Sequence, residues 1–255
     1  MELAFCTGSQ NLPVLAGIGV QYAELGCASV AALSDKEFDD LLNLVNKTGM
    51  KIRTANTMMK KELTLLYQDE GLTDTKAYLD LLLPRLHALG VERVVFGSGN
   101  YRMMPEGLAE EKKYALLENA LTLMSKEFRP YNMKVAVEPL NKKECNIFNT
   151  AKECYRTVKK LNLDNVKLLV DLYHFQLEGE DFDDIPSYGS DLIHVHIAKP
   201  VVRTYPKEGD GYDYSPFLSR LKRMGYTGIV SVEGKCEDFT KEAPLAKAVL
   251  ESLMK

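Results

Sequence analysis

Four segments in the second half of the chain, VAVE, KLLVD, IHVHI and IVSVE, run through apolar residues and carry, at or next to their last position, a group that binds cations or moves protons. These groups are Glu138, Asp171, His196 and Glu233. Side chains alternate along a strand, so Ala136 with Glu138, Leu169 with Asp171, His194 with His196, and Ser231 with Glu233 each share a face. Val135, Val137, Val195, Ile197, Val230 and Val232 take the other face and suit a layer beneath helices. Three carboxylates gathered without a cation repel one another and rise in pKa; a divalent metal removes that penalty. Three oxygens and one imidazole suit Mn2+ or Mg2+ best, with Co2+ as an alternative and Zn2+ less favoured. His196 is the preferred imidazole ligand because it is nearer the strand end, and His194, one layer deeper, takes a packing or supporting role. His174, three residues after Asp171, is expected on a loop over the metal. His87, the remaining histidine, lies in a helical segment and reads as structural.

These groups meet only if their strands are neighbours with their C-terminal ends on one side. Eight short apolar segments read as strands: Leu3 to Cys6, Tyr22 to Leu25, Lys51 to Ala55, Arg93 to Phe96, Lys134 to Val137, Val166 to Val170, Leu192 to Ile197 and Gly228 to Val232. Amphipathic segments separate them. SDKE at Ser34 to Glu37 is a capping box followed by Phe38, Leu41, Leu42 and Val45 at helical spacing, with Gly49 as the stop. TAKE at Thr150 to Glu153 reads as a second capping box, and Pro216 and Gly225 bracket a helix. Pro84 is expected to interrupt the helix from Asp74 to Leu89, and the first helix, Leu12 to Val20, carries two glycines. Eight strand-helix pairs in 255 residues predict an α/β fold, a single-domain (β/α)8 TIM barrel over residues 1–255. An open doubly wound sheet is the alternative, but no Gly-rich phosphate loop follows any strand.

The chain is 45% hydrophobic and 27% charged with a net charge of −4, so total charge suggests neither a nucleic-acid nor an anionic-membrane partner. No apolar run is long enough to cross a bilayer and the N-terminus lacks a basic leader, which leads to a cytoplasmic expectation. Five cysteines without CxxC spacing, Cys6, Cys27, Cys145, Cys154 and Cys236, are expected as free thiols.

At these residues the sequence resembles the xylose-isomerase-like TIM-barrel superfamily, and within it the sugar phosphate isomerase/epimerase group of ketose 3-epimerases and hydroxypyruvate isomerases. The likeness spans nearly the whole chain and is most specific in EPLNKKE (Glu138, Asn141, Glu144), DLYH (Asp171, His174), HVHIA (His196), Arg203, GYDYSPF and GYTGIVSVE. The resemblance implies one divalent metal, commonly Mn2+, held by Glu138, Asp171, His196 and Glu233. It implies Glu138 and Glu233 as the acid and base on opposite faces of the substrate carbon, with Glu144, His174 and Arg203 on the sugar oxygens. It implies a small-molecule sugar substrate and, by analogy, a homodimer or homotetramer.

Abstracting a proton beside a carbonyl requires stabilisation of the enediolate that forms, which a metal chelated by substrate oxygens provides as a Lewis acid. The expected activity is therefore a metal-dependent isomerase or epimerase. Lys199 and Lys142 depart from the family pattern at substrate contacts, and Glu24 and FGSGNYR after strand four line the site or serve the fold equally well. A metal-dependent lyase or dehydratase on a keto-sugar or cyclic polyol shares the first step. An abasic-site endonuclease would need more histidines in the first half, and a non-catalytic sugar-binding barrel has no need of the intact ligand set.

Overall fold

The structure, a computed structural model, describes residues 1–255. Its eight strands are β1 (Glu2–Cys6), β2 (Tyr22–Gly26), β3 (Lys51–Asn56), β4 (Arg93–Phe96), β5 (Lys134–Val137), β6 (Val166–Asp171), β7 (Leu192–Ile197) and β8 (Ile229–Val232). They pair in parallel in chain order, and β8 pairs with β1 to close the barrel. Each strand lies within one residue of its expected ends. No helix is long and apolar enough to cross a membrane.

Alternation decides what fills the two sides of the barrel wall. Val135, Val137, Val170, Val195, Ile197, Val230 and Val232 join the main core beneath the helices. Inside, Ala4, Tyr22 and Ile229 pack together, as do Val95, Ala136 and Leu169. Glu24, Thr54, His194 and Ser231, also buried, add a polar group of contacts within the barrel. The wide apolar contact between wall and helices supplies most of the stabilisation, at about 25 cal/mol per Å2 buried.

The helix boundaries show where local signals decide and where packing does. In Asp35–Thr48 both halves of the Ser34/Glu37 capping box form, and Gly49 ends the helix at φ 67°. The helix Ser215–Arg223 ends in paired hydrogen bonds from Gly225 N–H to Lys222 O (2.9 Å) and Tyr226 N–H to Leu221 O (2.9 Å), the glycine supplying φ 73°.

Three expectations need correcting. Pro84 does not interrupt its helix, which runs from Thr73 to Ala88; the carbonyl it leaves free belongs to exposed Asp80 and faces water. The first helix stops at Gly17, and Gly19 turns the chain at φ 76°. At TAKE only half of the box forms: Thr150 accepts from Glu153 N–H, but the Glu153 carboxylate is taken by the N–H groups of Phe148 and Asn149 and by the Tyr114 hydroxyl. Cys27, Cys145 and Cys154 are buried, and all five cysteines are free thiols.

Candidate active site

β5 to β8 bring the four predicted groups to one end of the barrel. Asp171 is the last residue of β6, His196 the fifth of β7, and Glu138 and Glu233 each follow the last residue of their strand. One donor atom from each of the four lies within 4.8 Å of all the others. His196 Nδ1 is 3.1 Å from Glu138 Oε1 and 3.2 Å from Glu233 Oε2. Asp171 and His196 are fully buried, Glu138 is 5% exposed, and Glu233 keeps the most contact with the opening.

The carboxylates in this cluster are perturbed by burial and by one another. Burial pushes Asp171 up to about 7, and the like charges of Glu233 and Glu138 add to it against the opposing Arg203. Burial also raises Glu138, with Glu233 adding to the shift and His196 opposing it. Glu233 is pushed up by burial as well, yet His196 and Arg203 together hold it well below the usual carboxylate range. Asp171 Oδ2 is buried with no hydrogen-bond partner. A divalent cation among these oxygens would partner Oδ2 and offset both the burial and the repulsion that raise these carboxyls, so the residues present fit such an ion.

Of the three residues expected to touch substrate, Arg203 and Glu144 lie on the partly exposed side of the cluster and His174 is buried beside Asp171. Arg203 reaches Glu233 Oε2 (2.6 Å) and Glu144 Oε1 (3.3 Å), and its guanidinium lies 4.7 Å from the Tyr173 ring centroid. It sits at φ 52°, and Val201, two residues earlier, at φ 72°, so this loop bends through backbone that favours glycine in order to fold the arginine back over the cluster. Glu144 Oε1 accepts from Asn141 Nδ2 at 3.0 Å.

His174 departs from expectation. It lies in a short helix, Leu172–Leu177, and is fully buried, because Asp171 caps that helix by accepting from Tyr173 N–H at 2.9 Å. Its Nδ1 accepts from Asn141 N–H at 3.1 Å, so the ring's hydrogen sits on Nε2, 3.5 Å from Asp171 Oδ2. Burial, reinforced by Arg203, pushes its pKa down to about 3, which keeps the ring neutral.

Lys142 and Lys199 do not enter the site. The Lys142 ammonium pairs with Glu178 at 3.0 Å, and the Lys199 ammonium donates to the Asp210 carbonyl.

Two contributors are not singled out individually by the sequence, although Arg102 closes the FGSGNYR segment. Asn56, at the end of β3, donates to Glu233 Oε1 at 2.8 Å. Arg102 is fully buried between the rings of Phe96 and Phe148, and its Nη1 donates to the carbonyls of Phe96 (3.2 Å) and Glu138 (2.9 Å), tying the ends of β4 and β5 together. FGSGNYR after β4 therefore does shape the site, through this arginine and through Gly97. A Cβ on Gly97 would stand 2.1 Å from Glu138 Oε2. Gly97→Ala is expected to swing the Glu138 carboxylate aside, lowering turnover by about 100-fold while melting temperature stays near wild type. Steady-state kinetics beside a thermal melt checks this, and wild-type turnover would show that Glu138 needs no fixed place.

Residues 12–255 match the Xylose isomerase-like TIM barrel family. The chain belongs to this family. Among curated relatives, inosose isomerase of Bacillus licheniformis is 33% identical over 137 residues, 49% of this chain and 48% of the relative. The match thus spans about half the length of that relative. D-psicose 3-epimerase of Enterocloster bolteae is 21% identical over 90% of this chain and 77% of its own. Among solved structures, a D-psicose 3-epimerase in the presence of D-fructose superposes with a TM-score of 0.88 at 20% identity, covering 100% of this chain and 99% of its own. The IolI protein with a bound zinc atom superposes with a TM-score of 0.79 at 22% identity, covering 100% and 98%. At these identities the superpositions speak for the fold.

Proposed function

We propose that this barrel is a divalent-metal-dependent isomerase or epimerase of a small sugar or related hydroxycarbonyl compound, moving a proton on a carbon beside a carbonyl. The observation that carries the proposal is the gathering of Glu138, Asp171, His196 and Glu233 within 4.8 Å of one another, beneath an opening bordered by Glu144 and Arg203. The names of the relatives, inosose isomerase and D-psicose 3-epimerase, support the reaction class, and the zinc atom in the IolI structure supports a cation in this fold.

Glu138, Asp171, His196 and Glu233 would hold the cation. When bound, it supplies Lewis-acid polarisation of the substrate carbonyl, with Mn2+ the preferred ion. Glu138 and Glu233 come from strands on different sides of the cluster, so a substrate carbon placed between them meets one carboxylate on each face. Neutral His174 offers its Nε2–H to a substrate oxygen. Arg203, braced on Tyr173, and Glu144 hold hydroxyls at the rim.

The reading is tested by incubating the protein, loaded with Mn2+, with a panel of ketoses and aldoses and identifying products by NMR and mass spectrometry. An isomer of unchanged mass is expected. A product lighter by one water would instead assign the site to dehydration, and no conversion of any sugar would contradict the reading.

A further inference from the structure

Inside the barrel, next to the candidate metal centre, lies a carboxylate enclosed by protein groups on every strand it faces. Glu24, on β2, is fully buried. Its Oε1 is 3.0 Å from His196 Nε2. Its Oε2 is 2.8 Å from His194 Nε2 and accepts from the hydroxyls of Thr54 (3.0 Å) and Ser231 (2.6 Å). Four groups from β3, β7 and β8 thus converge on one side chain. Burying a carboxylate costs several kcal/mol unless such partners meet it, so the position is a constrained one.

An ionised carboxylate only accepts hydrogen bonds, so the ring nitrogens that face it carry hydrogen. For His196 that places N–H on Nε2. Its other nitrogen, Nδ1, is the one lying 3.1 Å from Glu138 and 3.2 Å from Glu233. The three bonds on Oε2 stop the carboxylate from turning, which keeps Oε1 on His196.

We infer that Glu24 is a positioning residue that fixes His196 in its Nε2–H tautomer and ring plane, leaving the Nδ1 lone pair to bind a divalent cation. This rests on the metal-ligand reading of His196 given above. It also accounts for the second histidine: His194 occupies Oε2, so that Oε1 is left to one partner. A carboxylate behind a ligating imidazole raises the basicity of the ligand and orders its ring, and losing it costs about 10- to 100-fold in metal affinity.

The test is calorimetric titration of Mn2+ into chelator-stripped wild type, Glu24→Gln and Ser231→Ala, each checked for folding by circular dichroism. Imidazole nitrogen NMR of the Mg2+-loaded wild type accompanies it. Glu24→Gln is expected to bind Mn2+ about 10- to 100-fold more weakly, Ser231→Ala, which leaves two of the three bonds on Oε2, to lose affinity by a smaller factor, and His196 to show the Nε2–H form. Should Glu24→Gln not fold, the tautomer decides: Nε2–H supports the inference and Nδ1–H overturns it. Uptake of Mn2+ by wild type and folded Glu24→Gln alike overturns this inference alone. No uptake by the wild type overturns the metal reading, and this inference with it.

Discussion

Glu233→Gln is expected to lower proton exchange at the substrate carbon by about 100- to 10,000-fold, the range over which a positioned general acid or base contributes. The fold is expected to survive. Glutamine keeps the size of the side chain and an oxygen that can accept from Asn56 Nδ2 or Arg203 Nη2, the two donors that hold Glu233. A carboxamide still offers an oxygen to a cation but takes up no proton near neutral pH. The variant therefore separates the two roles proposed for Glu233. Exchange followed by NMR, with Mn2+ affinity measured beside it, checks this. Wild-type exchange in a folded variant would sink the two-glutamate mechanism.

Asp171→Asn is expected to cost more than about 100-fold in Mn2+ affinity, exceeding the loss typical of a residue that only supports a ligand. Asp171 is fully buried with one oxygen lacking a hydrogen bond, and the like charges of Glu233 and Glu138 add to the rise that burial imposes on it. Its carboxyl stands at about 7 against an ordinary 3.8, so the folded chain holds this proton more tightly than the unfolded chain. A shift of this sign means that ionised Asp171 costs stability, absent below pH 3.8, growing as pH rises and complete above about 7, on the order of a few kcal/mol. Asparagine carries no such charge and still caps the helix through Tyr173 N–H. At pH 8 the metal-free variant is expected to melt at or above the wild-type temperature, and to gain nothing from added Mn2+. Wild type gains about 2.7 kcal/mol at 100 times its dissociation constant. Thermal melts with and without Mn2+ check both halves. A metal-dependent rise in the variant equal to that of wild type would remove Asp171 from the ligand set.

The strands and the four central groups were readable from sequence because both obey short-range rules. A period of two and an apolar run identify a strand, and parallel strands closed in order bring their C-terminal ends together, so VAVE, KLLVD, IHVHI and IVSVE point to one place. The residues that escaped depend on contacts far apart in the chain. Asn56 and Glu233 lie 177 positions apart and on strands that are not neighbours. The reading of β3 also ended one residue early, at Ala55, which left Asn56 outside. Arg102 lies in a four-residue helix, Gly99–Arg102, with no side-chain cap to announce it. Glu24 is named from sequence as lining the site or serving the fold, but nothing local says that two histidines, a threonine and a serine will enclose it. His174 was expected on a loop because three residues after a strand is loop distance. Asp171, used as a cap, starts a helix there instead.

The most direct test of the account is deuterium wash-in. Wild-type protein is stripped with chelator, divided, and incubated in D2O with the sugar it converts, one half with Mn2+ restored, and NMR follows which carbon takes up label. The account predicts uptake at a single carbon beside the carbonyl in the Mn2+ half and its loss in the stripped half. Conversion of the sugar without any uptake, or equal uptake in both halves, would contradict metal-dependent proton transfer at this site.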